Sequence, residues 1–365
     1  MDDKNIKSSQ YKVNVYCTTY NHAKYILNAM DGFCMQVTNF PFVCTIIDDA
    51  STDGQQDVIV NYFRDNFNTN DTNIAYERET DDLRIYYAQH KSNPNCHFAI
   101  VFLKENQYSK THSFDKSMYI QEWLHDVPYV AMCEGDDYWI TEDKLQKQVD
   151  WMDANKDYSL CGCSTNLVQD YKLVGQNIKS DTDIDIHVED IISKGGFFLN
   201  TCSLMYRTEL ASEMPHWRQI ADVLDHPLCI LLGLKGKVRF LSKVMCCYRV
   251  ASEGSWSSNT LYNNKKTAKH YYQVILWLSA MDEETGGKYH KSVYRLINEK
   301  FFYSTYIYGG FPSLDAYIKL SFKTHNLSHI LCIPMCILFP CKYGLYFVIL
   351  LRTIKTKMIE YLSTK

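Results

Sequence analysis

The sequence predicts an α/β fold: a mostly parallel central sheet with flanking helices, followed by a helical C-terminal region. Three observations carry this expectation. Short apolar runs alternate with segments of helical spacing along the first part of the chain, and strand, crossover helix and parallel strand in succession build such a sheet. The run Phe42–Ile47 is continuously apolar, as in a strand covered on both faces. Polar clusters directly follow three of the runs, at Thr18–His22, Asp48–Gly54 and Glu134–Trp139. In open α/β sheets ligands bind outside the carboxyl ends of the strands.

The first strand is expected over Tyr11–Cys17, where apolar and polar residues alternate, and a helix over Ala23–Phe33, with Tyr25, Ile26, Ala29, Met30 and Phe33 at helical spacing. Phe42–Ile47 is the second strand, Gln55–Phe67 the next helix and Arg84–Ala88 the third strand. Residues 88–113 are longer than a minimal crossover needs and are expected to hold an extra helix or a flap. A helix follows over Ser113–Leu124, with Ser113 as N-cap, and a fourth strand over Tyr129–Cys133. Lys144–Asn155 reads as a helix, Ser159–Val168 and Val238–Val250 as strand or hairpin, and Lys265–Met281 and Tyr289–Ile307 as helices.

Composition narrows the function classes. The 365 residues are 46% hydrophobic, enough for a proper core and incompatible with wholesale disorder. A formal net charge of −4 and a pI of about 6.3 argue against a nucleic-acid partner, which calls for a basic excess. The 14 cysteines lie largely inside apolar stretches, and Cys161 and Cys163 form only a C-x-C pair. No zinc frame results. Free cysteine behaves as a small buried hydrophobe. The opening MDDKNIKSSQYKVNVY lacks the apolar run of a signal peptide, so a reducing cytoplasm is the expected compartment.

Glu134-Gly135-Asp136-Asp137 is the most informative cluster. Three acids within four residues repel one another unless a cation sits among them, and Mg²⁺ or Mn²⁺ takes carboxylate oxygens and commonly bridges to substrate phosphates. The bland alternative is a solvated loop ahead of a helix. Asp48-Asp49-Ala50-Ser51-Thr52-Asp53-Gly54 carries an Asx-rich turn, which accounts for Ser51–Gly54 but not for two adjacent acids ending an apolar strand.

The segments VNVYCTTYNHAKYILNAM, TIIDDASTDG and YVAMCEGDDYW…KLQKQVDWM, in this order and spacing, resemble the family 2 glycosyltransferases of GT-A fold, those building bacterial surface polysaccharides above all. NTCSLMYR and DHPLCILLGLKGKVRFLSKVMCCYRVASEGSWS extend the resemblance, which covers roughly residues 11–258. It implies a nucleotide-sugar donor, UDP-linked by expectation, a divalent metal, Mg²⁺ or Mn²⁺, and a saccharide or lipid-linked acceptor. By position, Thr19 and Tyr20 would flank the base, and Asp49, with Asp48 second, would contact it. Glu134, Asp136 and Asp137 would form the metal motif, with Asp136 also near the donor, and Lys116 would reach the diphosphate. Inverting transfer needs a carboxylate base, and an Asp-x-Pro-Leu segment in the resembled group places it at Asp225, with Asp222 in reserve. The alternative for Asp225 is a helix-capping role beside Pro227. The chain departs from the group after Tyr248-Arg249: a histidine common two residues on is replaced by Ala251, leaving Arg249 to supply positive charge. Trp256 and Ser257 match the pattern.

The implied organisation is a catalytic domain over residues 1–258 (nucleotide-sugar binding about 11–140, acceptor side about 141–258), a helical region over 259–325 and a hydrophobic, basic tail over 326–365. Ile330–Leu351 holds a single charge, Lys342, but Pro334, Pro340 and Gly344 interrupt it. From Lys319 onward seven Lys/Arg face one acid, Glu360, which suits an anionic lipid surface. The tail is therefore expected to associate with the inner face of the cell membrane, a buried helical pair or dimer interface being its alternative. Two further functions compete: a nucleotidyltransferase, for which TTYNHAKY lacks the glycines of a phosphate loop, and a non-catalytic nucleotide- or sugar-binding scaffold at the membrane.

Overall fold

A computed structural model describes residues 10–111, 115–169, 171–251 and 263–297, with 258 and 319 as isolated positions. The chain divides into two compact units, Met1–Ser258 and Asn259–Lys365.

The first unit is built on a 12-stranded sheet. Its strands are β1 (Val13–Thr19), β2 (Phe42–Asp48), β3 (Tyr76–Glu79), β4 (Leu83–Gln89), β5 (Cys96–Leu103), β6 (Tyr129–Met132), β7 (Tyr138–Trp139), β8 (Tyr158–Gln169), β9 (Lys172–Asn177), β10 (Ile184–Ile186), β11 (Met205–Arg207) and β12 (Lys237–Arg249). The helices are α1 (Ile26–Cys34), α2 (Gln55–Asn66), α3 (Gln107–Thr111), α4 (Gln121–Leu124), α5 (Lys144–Ala154), α6 (Val188–Lys194), α7 (Thr208–Ala211), α8 (His216–Gln219) and α9 (Asp225–Lys235).

The order β6-β1-β2-β5 forms the parallel core. Burial on both faces is the pattern of a covered parallel sheet; β2 is buried at every residue. Since all four run the same way, Met132, Thr19, Asp48 and Leu103 end at one edge, with Thr19 in register with Asp48 and Asp48 with Phe102. Antiparallel strands extend the core on both sides: β4 and β3 beyond β5, and β11, β8, β12 and β10 beyond β6, where β8 and β12 are again parallel.

Residues 88–113 differ from expectation in part. They hold a short extra helix, α3 at Gln107–Thr111, but also the strand β5, buried at all residues except His97. Its run HFAIVFL is a short, continuous apolar segment bounded by Pro94-Asn95 and Lys104-Glu105, the pattern of a fully covered strand. The strand expected at Arg84–Ala88 exists as β4 but pairs antiparallel with β5. The helix expected over Ser113–Leu124 is a 3₁₀ turn, Ser117–Ile120, running into α4; Ser113 lies outside the described residues.

In the second unit, α10 (Asn264–Glu284) is capped by Asn263, whose side chain accepts from the Lys265 and Lys266 N–H groups, and α11 (His290–Leu296) follows a turn through Gly286 and Gly287, both at positive φ. The remainder of the helix expected to Ile307, Trp256, Ser257 and the tail at 326–365 lie outside the described residues. Among the described residues no helix is long and apolar enough to cross a membrane.

Candidate active site

The carboxyl edge of the parallel core gathers the sequence-predicted residues, and the local hydrogen bonding decides what each can do. Thr19 ends β1 almost fully buried, its hydroxyl donating to Gln55 Oε1 at 2.9 Å and lying 3.2 Å from His22 Nδ1. It shapes the edge from within rather than presenting a free side chain. The next residue, Tyr20, is exposed. A Cβ at Gly135 would stand 2.2 Å from Thr19 Oγ1 and 2.5 Å from Thr19 Cβ. Only glycine lets the acid loop after β6 lie this close to the end of β1, where Gly135 N–H donates to the Thr18 carbonyl at 3.0 Å.

Asp48 and Asp49 are both buried and both engaged. Asp48 accepts from Gln55 Nε2, from Gln56 Nε2 at 2.7 Å and from Ser51 N–H at 3.0 Å. Asp49 accepts from the N–H groups of Gln107 at 2.7 Å and Tyr108 at 3.0 Å, and its Oδ2 lies 3.2 Å from Lys116 Nζ. The expectations that Asp49 contacts a base and that Lys116 reaches a diphosphate therefore meet a competing arrangement: the two side chains pair with each other, each about 5% exposed. Asp49 organises residues 106–108, whose Asn106 amide also donates to its carbonyl at 3.0 Å. The turn after β2 is tied to the turn after β1 as well: Asn21, at φ 56°, accepts from Thr52 N–H at 2.8 Å and donates its own N–H to Ser51 at 2.9 Å.

The acid run is crowded. Asp137 is 1% exposed; its Oδ1 accepts the Arg249 N–H at 2.8 Å, and its buried Oδ2 has no hydrogen-bond partner among the described residues. Burial first, then the charges of Asp136 and Glu134, push its carboxyl well above the usual range. Glu134 is pushed up to about 8 by burial and by the charges of Asp136 and Asp225. Asp136 is buried, with His22 Nε2 3.9 Å from its Oδ2. An orphaned buried carboxylate oxygen within concentrated negative charge fits a divalent cation. Among the described residues no three His, Cys, Asp or Glu side chains form a closed metal set, so the expected ligand triple Glu134, Asp136 and Asp137 is not assembled as one. One or two carboxylates completed by substrate phosphates are the usual mode for Mg²⁺.

Arg249 differs from expectation in what its charge faces. Its guanidinium is enclosed by the rings of Tyr25, Tyr138 and Tyr171, with centroids 4.6, 4.8 and 4.8 Å away, and donates to Asn28 Oδ1 at 2.6 Å. Cation–π contacts of this kind hold the end of β12 so that its N–H meets Asp137. Tyr171, in the turn between β8 and β9, comes from a sequence region with no motif.

Asp225 opens α9, half-buried, with its Oδ1 accepting the His226 N–H at 2.8 Å. The fold brings it to the acid run: burial, then the charges of Asp137, Glu134, Asp136 and Asp225, raise the Tyr248 hydroxyl well above its usual range. The charges of all four acids thus act on one tyrosine hydroxyl. Asp222 lies half-buried in the segment before α9. Gln55, His22, Gly135 and Tyr248 were missed as site residues; the adjacency of Gly135 to the acids and of Tyr248 to Arg249 was the available signal.

No protein-family model matches the chain. Uncharacterized proteins of Mycobacterium bovis and Mycobacterium tuberculosis are 25% identical over 256 residues, which is 67% of this chain and 61% of theirs. The chain thus spans 61% of the length of the curated relatives it matches. Among solved structures, residues 1–349 of Staphylococcus aureus TarS in complex with UDP align with a TM-score of 0.53 and 15% identity, over 89% of this chain and 90% of that one. The longer TarS structure aligns with the same TM-score over 55% of its chain. A mannosyltransferase from Pyrobaculum calidifontis in complex with GDP-Man and Mn²⁺ aligns at TM-score 0.46 with 12% identity. The chain shares the TarS fold: mixed α/β, with a large parallel core and flanking helices.

Proposed function

We propose that this chain is an inverting glycosyltransferase of the family 2 type, a hexosyltransferase that moves a sugar from a nucleotide-diphosphate donor, UDP-linked, to a saccharide or lipid-linked acceptor in polysaccharide synthesis. The observation that carries the reading is the run Glu134, Asp136 and Asp137 following β6 at the carboxyl edge of the parallel core, with Asp136 and Asp137 buried and Tyr20 exposed directly after β1, and with the charge of Asp225 acting on Glu134. TarS, of the same fold, is solved with UDP, which favours the same nucleotide here.

In this reading Tyr20 stacks on the base. Asp48 and Asp49 act as positioning residues: Asp48 anchors Gln55 and with it Thr19, and Asp49 with Lys116 fixes residues 106–108 beside the base. Asp136 and Asp137 would hold Mg²⁺ or Mn²⁺, which when bound would offset charge on the diphosphate, with Glu134 beside them. Arg249 positions Asp137 through its backbone N–H. Asp225 takes the proton from the acceptor hydroxyl as its oxygen attacks the anomeric carbon, opposite the departing diphosphate. A general base contributes about 10²–10⁴-fold, so Asp225→Asn should slow transfer by that order while UDP affinity stays at the wild-type value. Calorimetry of UDP with Mn²⁺ and with chelator, together with UDP-sugar turnover, tests the assignment; absence of UDP binding in both conditions refutes it. The first unit carries these residues. For the tail at 326–365, its basic excess and apolar run support peripheral attachment to anionic lipid on the cytoplasmic face.

A further inference from the structure

A second group of side chains adjoins the start of α9 beside Asp225. Gly195, at φ 85°, starts a 3₁₀ turn over Gly196–Phe198. The turn lies against the start of α9: a Cβ at Gly196 would stand 3.3 Å from His226 Cβ and 3.9 Å from Asp225 Oδ2. The following residue, Phe197, is 54% exposed, although burial of such a side chain is worth roughly 1.5–3 kcal/mol. Its ring meets Tyr248 edge to face, centroids 5.4 Å apart at 87°. The turn is held from behind, where Asn177 Nδ2 donates to the Phe197 and Phe198 carbonyls at 3.3 Å each. Phe197 is thus an outward aromatic face against Tyr248, the tyrosine whose hydroxyl feels the charges of the four acids.

Two ammonium groups flank the neighbouring ring. Lys179 Nζ lies 4.1 Å and Lys194 Nζ 4.6 Å from the centroid of buried Phe198. Lys194 pairs with Asp190 at 3.1 Å. Lys179 is half-buried, donates to Asn177 Oδ1 and has no carboxylate partner among the described residues. Burial, then the charge of Lys194, lower its ammonium to about 8, the mark of a cation whose local environment lacks compensating negative charge.

We propose that this turn and Lys179 form the acceptor subsite and that the acceptor is an acidic saccharide: Phe197 lies against the C–H face of a sugar ring, and Lys179 meets a carboxylate or phosphate on it. The proposal rests on Asp225 serving as the base. The electropositive C–H face of a sugar suits the negative face of an aromatic ring, and an anionic oxygen supplies what Lys179 lacks. The turn places such a ring one residue from Gly196, and so beside the carboxylate that would deprotonate its hydroxyl.

The test uses the full chain on a glycan array carrying matched neutral, uronic-acid-bearing and phosphate-bearing oligosaccharides. Acidic members should be retained over their neutral counterparts, and which acid group is preferred identifies the source of the charge. Phe197→Ala should weaken retention about tenfold, the order of one aromatic contact with its buried area, and Phe197→Trp should restore it. Lys179→Gln should erase the preference for acidic over neutral members. UDP calorimetry on the same variants should match the wild type. No retention of any glycan, equal retention of neutral and acidic ones, or wild-type retention by Phe197→Ala overturns the proposal. Wild-type protein that retains acidic glycans but binds no UDP refutes the donor assignment instead.

Discussion

Replacing Gly135 by alanine probes the close approach on which the site depends. The new Cβ would fall 2.2 Å from Thr19 Oγ1 and 2.5 Å from Thr19 Cβ, with Ile26 Cδ1 at 3.1 Å. Two of these separations are shorter than any stable non-bonded contact, and the atom at 2.5 Å cannot rotate away because it is fixed to the β1 backbone. Either the acid loop lifts from Thr18 or the end of β1 yields. Overpacking of a tight core costs about 1–3 kcal/mol. At about 2–4 °C per kcal/mol for a unit of this size, the melting temperature should fall by roughly 2–12 °C. The same displacement disturbs the Thr19–Gln55 hydrogen bond at 2.9 Å and with it the anchoring of Asp48, so UDP affinity should fall as well. Thermal denaturation and UDP calorimetry measure both. Thr19→Gly removes both of the closest atoms, so the double variant should be less destabilised than the sum of the single ones, the signature of a direct contact. Wild-type melting and UDP affinity in Gly135→Ala, or strict additivity with Thr19→Gly, would refute the reasoning.

Lys116→Met should cost about 3–5 kcal/mol by stranding Asp49 in the interior; urea denaturation should recover part of that loss when Asp49→Asn is added. Asp137→Asn should raise the stability of the metal-free protein, because it removes a buried carboxylate crowded by Asp136 and Glu134, and should abolish the Mn²⁺-dependent part of UDP affinity. Lower metal-free stability with intact Mn²⁺ dependence would contradict both parts. Full-length chain should co-sediment with phosphatidylserine vesicles, less at high salt, whereas chain ending at Asn326 should remain in the supernatant; each cation near such a surface contributes roughly 1 kcal/mol.

Local pattern alone determined the parallel core and the edge that carries the chemistry. The apolar runs at β1, β2 and β6 are short and followed at once by Thr19-Tyr20, Asp48-Asp49 and Glu134-Gly135-Asp136-Asp137, and parallel strands necessarily deliver such followers to one side. The same pattern was legible in HFAIVFL, but the length of the segment around it obscured β5. What each acid does was beyond any local rule. Asp48 and Asp49 are adjacent in sequence, yet one binds glutamines of α2 and the other pairs with Lys116, 67 residues away, as the numbering shows. The resemblance leaves Arg249 to supply positive charge, but Tyr25, Tyr138 and Tyr171, drawn from three separate segments, enclose its guanidinium. Asp225 and the turn that carries Phe197 meet only in the fold, where that turn packs on the start of α9. Spacing along a strand or helix is a property of a few residues, whereas the partner of a buried charge is chosen by whichever groups the completed fold brings within reach.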